Sequence, residues 1–349
     1  MNSNYRLFFV AAYQKHHTLP KGVLEAVSYS KTRIKNINPG TDMESCTGMP
    51  LSSGVMGLII DGKGYFKNTL NLISAKSGIS KAIIIADQEM AIMAYAKAFA
   101  QVQVEMGISN NLIENNVPVL KYLSELPDSS NGQQFALDTE IYSILKLMND
   151  ASFMGSMGYQ NGKTQLKKVF GAANFKVLSS SKIAFSSKKI QGSNSIYQSK
   201  HQKLCLDYPS AIWTAADASN YSSRGGTPIS AVTIHTVQGS YAGCISWFQN
   251  PSANVSSHYV LRSSDGQVTQ MVCEADKAWH VGSANPYTVG LEHEGYVSDP
   301  AWYTVAMYTS SADVCKDIAN SGYGIDALRT AFWPWAASTS WWPRRPLSE

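Results

Sequence analysis

The chain has 349 residues, 44% of them hydrophobic and only 15% charged, which excludes a disordered polymer and describes a globular protein. At roughly 100–200 residues per domain, two domains are expected. The net charge of +4 suits an anionic polymer such as a cell wall and is too small for a nucleic-acid partner; no apolar run reaches the ~18 residues of a membrane span.

Residues 7–12 are apolar but short, follow a single arginine and run into Tyr13-Gln14-Lys15. They read as the first helix of the fold rather than as an export signal. After the punctuation of Leu19-Pro20-Lys21-Gly22, residues 23–29 place apolar groups at helical spacing. Further helices are expected over 82–106, 117–126 and 135–148, with a turn-rich break at 127–132. Nothing here alternates as a strand does, so the first 165 residues or so read as helical. The five cysteines, Cys46, Cys205, Cys244, Cys273 and Cys315, form no CxxC pair, which excludes zinc-ribbon spacing and a dense disulfide scaffold.

Two pieces of this half resemble the lysozyme-like fold of lytic transglycosylases. Residues 24–34 look like that family's opening catalytic helix, and Gly54-Val55-Met56-Gly57-Leu58-Ile59 is similar to its GxMGLMQ loop-and-helix. In the family a glutamate ending that helix protonates the glycosidic oxygen, because an alkoxide sugar is a poor leaving group. The matching positions here are Lys31 and Thr32, and a lysine is no acid near neutral pH unless its pKa is heavily depressed. Glu25, two turns earlier, is a candidate substitute but reads more simply as a solvated helix-face carboxylate. The resemblance implies a degenerate, all-α lysozyme-like domain over 1–170 that binds glycan without cleaving it.

Residues 171–205 are expected to be a linker. From 179 to 203 the chain is rich in Ser, Lys, Gly and Asn, the composition of an exposed connector.

The second half changes character. Ala231-Val232-Thr233-Ile234-His235-Thr236 suits a mostly buried strand that carries one histidine at its end, before the turn-forming Gln238-Gly239-Ser240. Such an imidazole is well placed as a metal ligand facing a cleft, although a lone histidine on a strand is more simply a core residue. A helix is expected over 241–249. Two strand-like runs, 258–262 and 267–272, flank Asp265-Gly266, a strong hairpin signal. A buried strand follows at 288–292, then an amphipathic helix over 302–318 with Val305, Tyr308 and Ala312 on one side. The mixture defines an α/β or α+β domain.

Four segments then occur in order: VTIHT (232–236), SSHYVLRSSDGQVTQMV (256–272), AWHVG (278–282) and TVGLEHEG (288–295). Their order and spacing resemble the zinc-dependent N-acetylmuramoyl-L-alanine amidases of type 2, which share a fold with peptidoglycan recognition proteins. The resemblance covers about 206–335, and it implies an α/β domain over 206–349 built on a central mixed sheet. It implies peptidoglycan as substrate, with cleavage between N-acetylmuramic acid and the L-alanine of the stem peptide. It also implies zinc, which polarises the amide carbonyl and lowers the pKa of a bound water to ~7. On this match His235 is the first zinc ligand and Glu292 the base that takes the water's proton. His280 and Trp279 line the substrate cleft, and His258 lies on the hairpin near it. Glu294 either supports the site or is a surface acid, and His293 points to the opposite side of the strand. Action would be extracellular, periplasmic or at the cell wall, where peptidoglycan lies.

The family's second and third ligands, a histidine after glycine and an aspartate or cysteine before proline, come from a C-terminal segment. This sequence has no histidine after His293, no cysteine after Cys315 and no aspartate after Asp326. From about 335 it ends in a Trp/Pro/Arg-rich tail that reads as a truncation or frame slip. The expectation is therefore an amidase with an incomplete zinc site or, alternatively, a catalytically impaired peptidoglycan-binding protein.

Overall fold

The computed structural model describes residues 3–38, 45–160, 162–180 and 205–325. The expected tail after about 335 and most of the expected linker, 181–204, lie outside the described residues.

The first half is helical, as its periodicity predicts: α1 (Ser3–Lys15) and α2 (Val23–Thr32) open it. A hairpin follows that the sequence did not predict, β1 (Ser52–Ser53) and β2 (Leu58–Ile59), paired Ser52 to Ile59 and Ser53 to Leu58. Two-residue strands are too short to show alternation. The hairpin packs on α2, where the hydroxyls of Ser28 and Thr32 donate to Val55 O at 2.7 and 2.8 Å. Gly57, at φ 60°, is required there, since a Cβ would fall 2.8 Å from Lys31 Cβ.

Then come α3 (Thr69–Ser77), α4 (Lys81–Ala86) and α5 (Gln88–Glu105). The single helix expected over 82–106 is thus two, because the Asp87 backbone leaves helical geometry and its side chain accepts from the Glu89 and Met90 amides. After α6 (Ile113–Leu123), a capping box between Ser130 and Gln133 starts α7 (Asn131–Asn149) four residues before its first strongly apolar side chain, Phe135. The half ends with α8 (Ala151–Met157), α9 (Leu166–Phe170) and α10 (Ala172–Ser179). Residues 172–179, expected in the linker, are therefore helical, and Leu178 is buried.

The second half contains β3 (Ile212–Trp213), β4 (Tyr221–Ser223), β5 (Ala231–Thr236), α11 (Tyr241–Phe248), β6 (Tyr259–Leu261), β7 (Val268–Gln270), β8 (Asp276–Ala278), β9 (Thr288–His293) and α12 (Val305–Asn320). Five strands form one sheet in the order β3-β7-β6-β9-β5. It is mixed: β6 and β7 are the antiparallel hairpin around Asp265-Gly266, whereas β9 runs parallel to both β6 and β5. A disulfide joins Cys205, at the start of this half, to Cys273, just past β7.

The expected separation of cores is absent. One apolar cluster runs from α1–α7 through Tyr241, Ile245, Trp247 and Phe248 of α11 to Val260 on the sheet. Trp247 packs on Phe66 and Tyr65 of the helical half, with ring centroids at 5.7 and 5.9 Å. A second cluster, Tyr259, Leu261, Val289 and Leu291 with Met307, Val314 and Ile318, lies between the other sheet face and α12. Helix α12 buries a different side from the one expected. Val305 and Tyr308 are 82% and 56% exposed, while Ser310 and Ser311 face inward beside Met307 and Val314.

An ion-pair network also spans the halves. In the β6–β7 turn, Arg262 Nε and Nη2 each donate to Asp265 at 2.8 Å, and Lys146 of α7 reaches the same carboxylate at 3.0 Å. Burial pushes the Asp265 carboxyl up, but Arg262 and then Lys146 outweigh it and hold its pKa at about 2. Asp265→Asn leaves the buried Arg262 without its counter-charge and is expected to cost about 3 kcal/mol at neutral pH. Because the folded pKa lies below the unfolded ~3.9, this contribution is present above ~3.9 and is lost as pH falls through 2. Urea unfolding of both proteins should show the gap closing between about pH 5 and pH 2.

Candidate metal centre

The parallel register of β5 and β9 sets His235 directly beside Glu292, and such partners share one sheet face. The structure corrects the expectation of a mostly buried strand. Strand β5 is the sheet edge and is half-exposed along its length, with Ile234 at 55%. Strand β9, one place inward, is buried throughout. The histidine therefore stands at a rim and the glutamate on a floor.

Glu292 is 0% exposed, and burial pushes its carboxyl up to about 8, opposed by a hydrogen bond from Cys46. That bond runs from Cys46 Sγ to Glu292 Oε1 at 3.8 Å, while Oε2 is buried with no hydrogen-bond partner. An orphaned carboxylate oxygen in such a place costs free energy unless a proton or a cation meets it.

A chain of donors orients His235. Thr288 Oγ1 donates to Ala284 O at 2.8 Å, so it accepts from His280 Nε2 at 3.2 Å. His280 Nδ1 is then an acceptor, and His235 Nε2 lies 3.0 Å from it. The proton of neutral His235 accordingly sits on Nε2, and its lone pair is on Nδ1. Burial lowers the pKa of His235 to about 4, followed by the charge of His293, so the ring is neutral at pH 7. A neutral imidazole whose second nitrogen donates to a fixed partner is the form in which histidine binds metals.

The ligand atoms of Cys46, His235 and Glu292 lie within 4.8 Å of one another. Thiol, imidazole and carboxylate are the donors that zinc takes, so this set, with its orphaned carboxylate oxygen, fits such an ion. Cys46 was not singled out in the sequence. It belongs to the helical half, and nothing in Glu44-Ser45-Cys46-Thr47 marks a ligand.

The other expected site residues divide. His280 adjoins His235 as described. Trp279 is half-buried, and its indole N–H donates to Ser222 Oγ at 3.1 Å. His258 was expected near the substrate, but the structure places it beneath the site, fully buried. Its Nδ1 accepts from the Gly290 amide at 3.0 Å, and Arg224 Nη2 packs 2.9 Å from Nε2. Burial and then the Arg224 charge lower its pKa to about 3, which keeps it neutral. Its ring lies against His280, with centroids 5.7 Å apart, so it supports that ring from below. Glu294 is not a surface acid: it is buried and accepts from the backbone amides of Tyr241, at the start of α11, and Ser263. His293 Nδ1 lies 3.2 Å from His235 O, packed against the strand backbone.

In the helical half, Glu25 is not solvated. It is buried, accepting from Tyr13 Oη at 2.8 Å and Tyr159 Oη at 3.0 Å. Lys31 is buried between Glu125 and Glu140, at 2.5 and 3.1 Å.

Residues 225–337 match the family described as N-acetylmuramoyl-L-alanine amidase. Over 113 residues the chain is 52% identical to N-acetylmuramoyl-L-alanine amidase A of Achromobacter lyticus, an alignment covering 32% of this chain and 63% of that protein. His235, His258, Trp279, His280 and Glu292 all fall inside the matched segment, whereas Cys46 and Arg224 lie before it. No solved structure matches the chain. Among the described residues, no helix is long and apolar enough to cross a membrane.

Proposed function

We propose that residues 206–349 act as a zinc-dependent N-acetylmuramoyl-L-alanine amidase, cleaving peptidoglycan between N-acetylmuramic acid and the L-alanine of the stem peptide. The observation that carries this reading is the pairing of His235 with Glu292 on adjacent strands, inside the segment that matches the N-acetylmuramoyl-L-alanine amidase family. Zinc, when bound, supplies a Lewis acid for the amide carbonyl and lowers the pKa of water. The chain's own residues do the rest. His235 offers its Nδ1 lone pair, fixed by the relay through His280 to Thr288. In its ionised form Glu292 takes a proton from the attacking water on its unpartnered Oε2 and passes it to the leaving amine. Trp279, beside His280, offers the exposed part of its indole to the substrate.

The helical half, residues 1–170, is read as a lysozyme-like domain that holds glycan without cutting it. In support, Lys31 stands where the acid would be and is locked charged by two carboxylates. Action on peptidoglycan would take place outside the cytoplasm, and the Cys205–Cys273 disulfide suits an oxidising compartment.

The test is stem-peptide release from purified peptidoglycan by zinc-loaded wild type and Glu292→Gln. The variant keeps the shape of the side chain but accepts no proton, so release should fall by roughly 10²–10⁴-fold. Equal rates would remove Glu292 from the chemistry.

A further inference from the structure

Residues 45–50 leave the helical half and lie across the sheet face that carries the site. Ser45 Oγ donates to Val237 O, one residue past β5, at 2.8 Å. Trp247 of α11 donates its indole N–H to Thr47 O at 2.9 Å, and Lys63 Nζ donates to Gly48 O at 3.3 Å. Met49 is buried against the turn after β5, so closely that a Cβ on Gly239 would fall 2.3 Å from its Cε. A loop attached this firmly holds Cys46 in one place, with its Sγ 3.8 Å from Glu292 Oε1. The second observation is independent of the cysteine: Glu292, fully buried, has an Oε2 with no hydrogen-bond partner, and ligand atoms of His235, Glu292 and Cys46 gather within 4.8 Å.

We propose that Cys46 supplies a thiolate ligand to the metal held by His235 beside Glu292, so that the centre is built from both halves of the chain. This deepens the metal-centre reading above and rests on it. On binding, the S–H bond breaks, its proton leaves to solvent, and a sulfur–metal bond forms with no change of oxidation state. Tetrahedral ligands at ~2.0–2.3 Å from an ion stand about 3.5 Å apart. The Cys46 and His235 ligand atoms, now within 4.8 Å of each other, are close enough for small side-chain rotations to reach that spacing. The thiolate couples metal binding to the seating of the 45–50 loop, so the helical half takes part in forming the centre of its neighbour.

Cobalt(II) titration of the full chain tests this, because thiolate ligation gives a charge-transfer absorption that oxygen and nitrogen ligands do not. Wild type should bind one cobalt with that absorption. Cys46→Ser, nearly isosteric and at an exposed position, should lose the absorption and bind about 100-fold more weakly in competition with a chelator. Cys315→Ser should match wild type, and circular dichroism should show all variants folded. If Cys46→Ser keeps both the absorption and the affinity, Cys46 is not a ligand. In that case loss of cobalt in His235→Ala would preserve the metal centre itself, and retention of cobalt there would overturn both readings. Wild type that binds no cobalt likewise overturns both.

Discussion

Substituting His235 by alanine is expected to abolish metal binding and, with it, peptide release, while leaving the fold intact. His235 is the only imidazole in the Cys46–His235–Glu292 group, and its tautomer is fixed by His280 and Thr288. A catalytic metal contributes several kcal/mol of transition-state stabilisation, and each ~1.4 kcal/mol is tenfold, so release should fall roughly 10³-fold or more. Zinc retained after gel filtration against a chelator should drop from about one ion per chain to none. Stability should hardly change. The ring is neutral at pH 7 because burial holds its pKa near 4, and β5 is a half-exposed edge strand. Thermal unfolding separates this result from simple misfolding.

The second large effect is expected far from the metal, at Lys31. Burial alone would lower its pKa, but Glu125 and Glu140 outweigh that and hold the ammonium charged. Lys31→Ala leaves two buried carboxylates facing one another without a cation, a loss of about 3–5 kcal/mol. The pH dependence has a definite sign. Burial, then the charge of Glu125, already raises the Glu140 pKa, and loss of the lysine raises it further. A glutamate whose folded pKa is raised is tolerated at low pH and becomes destabilising as pH climbs through the raised value. The deficit of Lys31→Ala should thus be small below about pH 4 and grow toward neutrality, as measured by urea unfolding across that range. A deficit independent of pH would show that packing, not charge, is at stake.

The parts of this fold that were legible in the sequence are those with local signals. Asp265-Gly266 between two β-rich runs announced the β6–β7 hairpin, and apolar spacing announced α2, α7 and α11. The neighbourhood of His235 and Glu292 was reachable only through the order of the four motifs, because a parallel pairing leaves no local trace. Cys46 was invisible for a different reason. It reaches the site from another part of the chain, on a loop held by contacts to Val237 and Trp247. His258 was misplaced because Arg224, which lies before the motifs, inserts beneath it and seals it in the core. The wrong side was chosen for α12 because small polar residues, Ser310 and Ser311, pack inward as readily as apolar ones, leaving Val305 and Tyr308 outside. The break at Asp87 and the early start of α7 at Ser130 are capping effects, decided by single side-chain hydrogen bonds that hydrophobic periodicity does not report.

The most direct measurement is product analysis of purified peptidoglycan digested by the zinc-loaded chain. An amidase exposes new amino-terminal alanine on released stem peptides and creates no new reducing sugar ends. A chain that generates reducing ends, or releases no peptide with zinc present, contradicts the assignment.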